Sequence, residues 1–378
     1  MSDAPQDAAV TLKKTSHKPR PASGTETLPL TAAQLQEYAA IIDVRSPAEF
    51  ALDHLPNAIN LPVLSNEQRV VVGTLYKQQG AFDAKKVGAA LVARSVAAHL
   101  DAYFADKPKH FKALVYCWRG GARSGAMTHI LRNIGFDAKQ LQGGYKAWRA
   151  QLVQDIDALA PQFSYQVICG RTGSGKSRLL EALARQGAQV LDLEQLAAHK
   201  GSILGDLPDA PQPSQKGFES LVWAMLNSFD VTAPVFVEAE SKKVGAVQVP
   251  HILMDTMRTG ACFEAITPQD ARICLLREEY QHLIDNPALL FLKLDCLVGL
   301  HSQAQIDEWK AFAHARDWDN FVEGMLVKHY DPAYERSMFS NYVHANTAAP
   351  VAVNDISAAG FDTCAQQLLS RFNAPSSH

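Results

Sequence analysis

The segment VYCWRGGARS, at residues 115–124, places one thiol directly after an apolar run and surrounds it with glycine and arginine. If a strand ends at Cys117 and a helix begins after the glycines, backbone N–H groups and the positive end of the helix face the sulfur. Arg119 and Arg123 add full positive charges beside it. These features favour the thiolate, so the pattern predicts a catalytic Cys117 in an anion-binding loop. The rest of this thiol loop is Trp118, Gly120, Gly121, Ala122 and Ser124.

A buried structural cysteine, the usual role of an isolated thiol, is the alternative interpretation of Cys117. Such a site would not be followed by two glycines and two arginines, so we favour the reactive interpretation. The remaining cysteines are scattered without a C-x-x-C pair, which predicts neither a disulfide framework nor a zinc site.

A second anion-binding loop follows further along the chain. Residues 170–177 read GRTGSGKS and match the pattern G-x-x-x-x-G-K-[ST] between a predicted strand and a predicted helix. In such a P-loop, backbone N–H groups approach phosphate oxygens, Lys176 supplies a positive charge and Ser177 could ligate Mg²⁺. Any diphosphate fits this geometry, so ATP is not implied. The predicted phosphate-binding residues are Gly170, Arg171, Thr172, Gly173, Ser174, Gly175, Lys176 and Ser177.

Charged residues follow another predicted strand, PVFVEAES, at residues 234–241. Glu238 and Glu240 are candidates for acid–base chemistry or for a place near Mg²⁺, because nucleotide-binding domains use an acidic residue near the phosphate loop. Lys242 and Lys243 come next and are candidate contacts for RNA. The alternative for all four is a solvated charged turn.

Short apolar runs alternate with helical patterns, which predicts parallel sheets covered by helices. From about residue 268 onward the pattern is mostly helical. The predicted fold class is α/β: an N-terminal parallel-sheet domain, then a P-loop α/β domain with a helical C-terminal part. The expected boundaries are a mobile polar tail at 1–27, the first domain at 28–158 and the second at 159–378.

The composition and charge of the chain limit which classes of function are compatible with the sequence. The 378 residues carry a formal net charge of −3, so any RNA binding has to come from a local basic patch. No segment approaches the roughly 18 consecutive apolar residues of a membrane span, and the N-terminus lacks the apolar core of a signal peptide. We therefore expect a cytoplasmic protein that binds no membrane. We expect no tightly bound cofactor and no metal beyond Mg²⁺, because the spacing of four histidines is not that of metal ligands: His282, His301, His314 and His329.

Two stretches of the first domain resemble the signatures of rhodanese domains. They are IIDVRSPAEFALDHLPNAINLP, at residues 41–62, and LQGGYKAW, at residues 141–148. The resemblance covers roughly residues 28–155 and implies a cysteine that carries sulfur or a relative such as selenium. The spacing of Cys117 and Arg123 also fits the C-x5-R loop of rhodanese-like phosphatases, although these usually place a histidine where Tyr116 stands.

Further stretches extend the resemblance to most of the chain. Residues 70–92, 212–221, 237–245 and 329–337, together with CWRGGARS, resemble bacterial tRNA 2-selenouridine synthases. The resemblance implies a transferase that acts on wobble 2-thiouridine in a tRNA anticodon arm. Geranyl diphosphate first alkylates the sulfur, and selenophosphate then supplies the selenium that replaces the S-geranyl group, giving 2-selenouridine.

We assign the two loops to these two steps as a hypothesis. The P-loop would hold the diphosphate of geranyl diphosphate. The thiol loop would receive selenophosphate, with Cys117 taking or guiding selenium while Arg119 and Arg123 neutralise the departing phosphate. Candidates for a geranyl pocket are Phe218, Leu221, Trp223 and Met225, and further candidate tRNA contacts are Arg258, Arg272 and Arg277.

Two other functions stay open. A rhodanese-like cysteine phosphatase fused to a P-loop kinase or NTPase explains both loops but not the remaining stretches, and its general acid is not identifiable. A binding module built on an inert rhodanese fold is disfavoured by the intact Cys117.

Overall fold

A parallel sheet of five strands organises the first part of the chain in the computed structural model, which describes residues 24–373. The strands are β1 (Thr25–Glu26), β2 (Ala40–Asp43), β3 (Ala58–Asn60), β4 (Lys112–Tyr116) and β5 (Asp137–Leu141). Their order in the sheet is β1-β5-β4-β2-β3, so β4 lies at the centre. Apart from Lys112, every residue of β2 and β4 is buried, as expected for a sheet covered on both faces.

The helices of the first part are α1 (Ala32–Gln36), α2 (Pro47–Leu52), α3 (Asn66–Gln78), α4 (Ala81–His99), α5 (Ala122–Ile134) and α6 (Gly144–Leu159). Helix α5 ends at Gly135, whose φ of 112° suits a left-handed C-cap. Helices α3 and α4 form a hairpin around Gly80, and a π-helical turn at Leu100–Phe104 continues α4. The hairpin lies between β3 and β4 in the chain.

A second parallel sheet of five strands organises the rest. The strands of this part of the chain, five in the sheet and two in a separate pair, are β6 (Tyr165–Cys169), β7 (Gln189–Leu191), β8 (Val235–Glu238), β9 (Lys243–Val244), β10 (Val247–Gln248), β11 (Ala261–Ile266) and β12 (Ala349–Ala352). The sheet order is β12-β11-β6-β8-β7, while β9 and β10 form a separate antiparallel pair. Strand β6, which leads into the P-loop, therefore lies at the centre of this sheet, as β4 does in the first.

The helices of the second part are α7 (Lys176–Arg185), α8 (Leu193–Ala197), α9 (Gln215–Ser228), α10 (His251–Met257), α11 (Gln269–Glu279), α12 (Gln281–Asp285), α13 (Pro287–Asp295), α14 (Gln303–His314), α15 (Trp318–Met325), α16 (Asp331–Asn341) and α17 (Ala358–Asn373). Helices α12 to α15 form a separate hydrophobic core around Leu294, Trp309 and Phe321. The chain then returns to the second sheet through β12.

One buried apolar cluster includes residues of both parts. Trp148 on α6 meets Trp223 on α9, with ring centroids 6.1 Å apart. Asp53 adds a polar bridge, because its carboxylate accepts hydrogen bonds from the Tyr145 hydroxyl at 2.7 Å and from the Ser220 hydroxyl at 2.7 Å. Helices α6 and α9 thus join the two parts through a buried contact.

The predicted α/β class, with parallel sheets and a helical C-terminal part, is confirmed. Residues 1–23 of the predicted tail lie outside the described residues, whereas residues 25–26 form β1 and pair with β5 rather than remaining a tail. The expected boundary at residues 158/159 falls at the end of α6. The sequence patterns did not predict β11 and β12, although β11 pairs directly with β6.

Candidate active site

The thiol of Cys117 lies at the carboxyl end of β4, before the loop that leads into α5. Its Sγ accepts hydrogen bonds from the Gly121 backbone N–H and the Ser124 hydroxyl, each at 3.2 Å. Burial by itself raises the pKa of Cys117, but the hydrogen bonds from Ser124 and Gly121 and the charge of Arg123 outweigh it. The pKa of this thiol therefore lies below its ordinary value. The loop thus favours the thiolate.

The two arginines of the thiol loop have different surroundings. Arg123 Nη1 donates to Glu49 Oε2 at 3.2 Å, and the same oxygen is 3.8 Å from Arg69 Nε. Arg119 is exposed, and within residues 24–373 its side chain has no hydrogen-bond or ion-pair partner. One guanidinium is therefore held beside the thiol, and the other is free to bind an anion at the surface.

Gln140, on the neighbouring strand β5, supports the thiol loop from one side. Its Nε2 donates to the carbonyl oxygens of Gly120 and Gly121, at 2.8 and 3.0 Å, and to Ser124 Oγ at 2.9 Å. The start of α6 also packs tightly here, since a Cβ on Gly144 would lie 2.2 Å from the Cys117 carbonyl oxygen. Sequence reasoning missed Gln140, because no motif marks it and only strand pairing brings it to the loop.

The outer side of the thiol loop faces solvent and the second part of the chain. Trp118 is half-buried and Ala122 is exposed. Lys216, at the start of α9, places its ammonium 5.9 Å from the centroid of the Trp118 ring. A half-buried aromatic ring beside basic groups offers its accessible face as a surface on which a nucleic-acid base could stack.

The P-loop connects β6 to α7. Lys176 Nζ donates to the Gly170 carbonyl at 3.0 Å, and the Gly170 N–H donates to the Tyr334 hydroxyl at 2.6 Å. Gly175 has a φ of 82°, and a Cβ there would lie 2.4 Å from the Phe361 ring. The glycine is therefore required both by the backbone conformation and by close packing.

Arg272 ties the P-loop to the helical C-terminal part. Its Nε donates to the Thr172 carbonyl at 2.9 Å, and its terminal nitrogens bind the Asp331 carboxylate at 2.6 and 3.0 Å. Because Arg272 is buried, it is a structural residue, and its suggested role as a surface contact for tRNA is wrong. Arg171 is exposed and pairs with Glu335 at 2.6 Å.

Three glutamates lie close to the P-loop. Ser177 Oγ is 3.4 Å from Glu194 Oε2, and the Glu194 backbone N–H donates to Glu238 Oε1 at 2.9 Å. Burial, reinforced by the charge of Glu240, raises the pKa of Glu194 to about 8. Burial also raises the pKa values of Glu238 and Glu240. Glu194 was not among the predicted residues, although it follows β7 as Glu238 ends β8.

A cavity of about 270 Å³ opens over the P-loop. The P-loop residues that line it are Thr172, Gly173, Gly175, Lys176 and Ser177, while Gly170 and Ser174 are buried behind them. The rest of the lining combines aromatic and apolar side chains with the charged residues Glu194, Lys200, Glu240 and Glu279. Three of the aromatic and apolar side chains, Leu276, Tyr280 and Tyr330, also line an adjoining apolar chamber. A phosphate loop therefore faces a partly apolar wall.

Comparisons with known proteins match both parts of the chain. Residues 29–151 match the model of the rhodanese-like domain, and residues 163–289 match that of the tRNA 2-selenouridine synthase AAA domain. A tRNA 2-selenouridine synthase from Shewanella piezotolerans is 36% identical over 348 residues, which cover 82% of this chain and 93% of that relative. The chain belongs to the tRNA 2-selenouridine synthase family.

Other members of the tRNA 2-selenouridine synthase family match a smaller part of the chain. The synthase from Nitrosomonas europaea is 38% identical, and that from Sulfurovum sp. is 39% identical, each over 64% of this chain. These matches span 63% and 65% of the two relatives, slightly less than two thirds of their length.

In this member of the family, the four side chains expected to line a geranyl pocket lie on α9, away from the P-loop cavity. Phe218 and Trp223 are buried in the core, so the expectation is wrong for them. Met225 is half-buried against that core, and Leu221 is 43% exposed.

The remaining predicted residues lie on different elements: Glu238, Glu240, Lys242 and Lys243 at or just after the end of β8, Arg258 at the end of α10 and Arg277 in α11. Glu240 is half-buried in the P-loop cavity, whereas Lys242 and Lys243 are exposed. Arg258 is half-buried, and Arg277 is exposed and pairs with Asp319 at 2.7 Å. The structure thus brings Glu238 and Glu240 to the P-loop and leaves both lysines at the surface.

Within residues 24–373, no group of three or more His, Cys, Asp or Glu side chains is arranged to hold a metal ion. His301 Nε2 and His329 Nδ1 lie 2.9 Å apart. None of the helices in the described part combines the length and apolar character that a membrane crossing needs.

Proposed function

We propose that this protein converts 2-thiouridine at the wobble position of tRNA to 2-selenouridine through an S-geranyl intermediate. The observation that carries the proposal is the presence of two different anion sites on one chain. One holds a thiol with a lowered pKa, and the other sets a phosphate loop against a partly apolar wall. The relatives are named tRNA 2-selenouridine synthases, and this name supports tRNA as the substrate and 2-selenouridine as the product. Because the proposed substrate is a tRNA, we assign the activity to the cytoplasm.

The P-loop serves the alkylation step. The sulfur of 2-thiouridine attacks C1 of geranyl diphosphate, the C–O bond breaks, and pyrophosphate leaves with the bonding electrons while uridine N3 loses its proton. Lys176 and the backbone N–H groups of the P-loop stabilise the charge on the departing pyrophosphate. The wall formed by Leu276, Tyr280 and Tyr330 suits the geranyl chain.

Mg²⁺ is the ion that this site would accept. The Ser177 hydroxyl and the Glu194 carboxylate are close enough to share one cation, directly or through water. Burial is the main cause of the raised pKa values of Glu194 and Glu238, and the charges of neighbouring carboxylates add to it, so a bound cation would lower both pKa values. A bound Mg²⁺ would help to neutralise the pyrophosphate, and these residues would orient it.

The thiol loop serves the selenium step. Cys117 takes part in the following sequence of bond changes, which needs no external reductant. The Cys117 thiolate attacks phosphorus of selenophosphate, and the P–Se bond breaks to release hydrogen selenide. Selenide attacks C2 of the S-geranyl nucleotide, the C–S bond breaks, and geranylthiolate leaves. Water then hydrolyses the S–P bond on Cys117, releasing phosphate and the proton that geranylthiolate takes up.

The arginines of the loop match this sequence. Arg123 lies beside the thiol and Arg119 is free at the surface, so both can neutralise the phosphoryl group during transfer. Trp118 and Lys216 offer a stacking face and a cation for the anticodon nucleotide. Lys242 and Lys243 are further candidate contacts for the tRNA.

Nucleoside mass analysis tests the proposal. Protein is incubated with tRNA that contains 2-thiouridine and with geranyl diphosphate, with and without selenophosphate. We expect an S-geranyl nucleoside that becomes 2-selenouridine only when selenophosphate is added. Unchanged nucleosides in both samples, together with phosphate release from ATP or a phosphoprotein, would favour the phosphatase–kinase fusion instead.

Variants then assign the two loops. Cys117→Ser should stop the selenium step and spare alkylation, with Cys274→Ser, an exposed cysteine, as its control. Lys176→Ala should stop alkylation and spare selenium transfer to tRNA that is already alkylated. If Lys176→Ala spared alkylation and abolished only selenium transfer, the assignment would be reversed.

A further inference from the structure

An open apolar groove lies in the first domain between α3, α4 and α5, and the steps described above do not use it. Its cavity volume of about 690 Å³ is within the range of small-molecule sites. The floor contains Val72, Val92, Val96 and Ile130. Tyr76, which also lines the groove, is 60% exposed. A contiguous apolar surface of this kind usually marks a binding site.

The charged residues that line the groove, within the part of the chain that the structure describes, are all basic. They are Arg69, Lys77, Lys85 and Arg123. An apolar floor with a basic rim fits an apolar chain attached to a polyanion. An RNA nucleotide that carries an alkyl chain combines these two properties, because its neighbouring phosphates are negative.

The groove begins beside the sulfur of the thiol loop. The Gly121 N–H donates to Cys117 Sγ at 3.2 Å, and the next two residues, Ala122 and Arg123, line the groove. Arg69 and Arg123 approach the same oxygen of Glu49, at 3.8 and 3.2 Å, which fixes the basic end of the groove next to the thiol. A nucleotide whose base faces the thiol loop can therefore lay an attached chain along this groove.

We infer that the groove holds the geranyl chain of the S-geranyl-2-thiouridine nucleotide during the selenium step. The inference rests on the proposed function and deepens it. Alkylation then has a second role besides activating C2, because the chain supplies the contact that recruits the nucleotide to the thiol loop. The P-loop cavity holds the chain before alkylation, and the groove holds it afterwards.

Filling the groove tests this assignment. Ala89 lines the groove, whereas its exposed neighbour Ala90 on the same helix does not. Binding of anticodon stem–loop RNA is measured for Ala89→Trp and for the control Ala90→Trp, with S-geranyl-2-thiouridine or S-methyl-2-thiouridine in the loop. The wild type and Ala90→Trp should bind the S-geranyl RNA about tenfold more tightly or better, because only this chain buries apolar surface. Ala89→Trp should lose that preference and bind the S-methyl RNA as the wild type does.

The opposite results overturn the inference. Retention of the preference by Ala89→Trp, or its loss in Ala90→Trp as well, would show that the groove does not hold the chain. A change in the solution mass of Ala89→Trp with an unchanged preference would show that the groove is a contact between copies of the protein.

Alkylation by geranyl diphosphate, measured on the same variants, separates this inference from the proposed function. Ala89→Trp should alkylate tRNA at the wild-type rate and should transfer selenium to alkylated tRNA at least about tenfold more slowly. A wild-type protein that alkylates nothing would refute the proposed function, while the RNA-binding comparison would still decide the role of the groove.

Discussion

Replacing Ser124 with alanine should raise the pKa of the Cys117 thiol, because it removes one of two hydrogen bonds to Sγ. A hydrogen bond to a charged group contributes about 1.5–3 kcal/mol, and one pKa unit corresponds to about 1.4 kcal/mol. We therefore expect the pKa to rise by about one to two units. At a pH below the pKa values of both proteins, the thiolate fraction should fall by about tenfold to one hundredfold, and the rate of the selenium step should fall with it.

The pH dependence of alkylation by iodoacetamide measures this shift. Mass spectrometry of the peptide that contains Cys117 gives the midpoint, and the peptide that contains the exposed Cys274 is the internal reference. Gln140→Leu is a useful comparison, because it removes support from the loop but keeps the Ser124 hydroxyl near the sulfur. Its midpoint should shift less than that of Ser124→Ala.

A result that refutes this reasoning is easy to recognise. If Ser124→Ala unfolds at the wild-type temperature and its midpoint is unchanged or lower, then hydrogen bonding does not set the pKa of Cys117. Burial and the charge of Arg123 would then be the controlling terms. Ser370→Ala, on the exposed side of α17, controls for the loss of a hydroxyl elsewhere.

Three further predictions concern the P-loop domain. Lys176→Ala should slow alkylation by about one hundredfold or more, because the charge on the departing pyrophosphate loses a preorganised partner; rates of S-geranyl nucleoside formation measure this. Arg272→Ala should lower the free energy of unfolding in urea by about 3 kcal/mol, because it removes both hydrogen bonds to the mostly buried Asp331 carboxylate and leaves it only Arg171, at 4.0 Å. The pKa of Glu194 is raised to about 8, so the folded state binds more protons than the unfolded state above the ordinary carboxyl pKa. Stability should therefore fall as the pH rises from about 5 to about 8. Glu238→Gln should reduce that fall, because the pKa of the buried Glu238 carboxyl is itself raised; urea unfolding at the two pH values measures both effects.

Matched surface variants control these experiments. Lys328→Ala removes an exposed lysine that pairs with Glu308, and it should leave alkylation unchanged. Arg277→Ala breaks an exposed ion pair, so its free energy of unfolding should change by less than about 1 kcal/mol. An equal loss in Arg277→Ala and Arg272→Ala, or a stability that rises with pH in this interval, would contradict the structural reasoning.

Local patterns were enough to find both candidate anion-binding loops, because each loop joins a buried strand to a helix and glycines allow its backbone to approach an anion. As the sequence analysis expected, Cys117 directly follows the central strand β4, and Lys176 begins α7 at the end of the loop that follows the central strand β6. The two missed strands have a different cause. β12 lies far from β11 in the chain, after a long helical segment, and only the pairing of the two shows that both complete the second sheet.

Residues that contact a loop from a different strand or helix were not predicted, for the same reason. Gln140 reaches the thiol loop from β5, and Tyr334 reaches Gly170 from α16, so neither role is visible in its own neighbourhood. Phe218 and Trp223 were expected near the P-loop because they follow it in the chain. Helix α9 instead turns these side chains into the core shared with α6.

The sharing of α6 has a consequence for how a tRNA is handled. Its first residue, Gly144, packs against the thiol loop, and its Trp148 is buried against Trp223 of α9. A hinge between the two units would have to open this apolar contact, which is costly, so the two sites keep a fixed separation. Under the proposed function, the anticodon itself must then travel from the P-loop to the thiol loop between the two steps. We expect processivity to depend on how long the tRNA body stays bound during that transfer, and scarcity of selenophosphate to let the alkylated tRNA escape into solution.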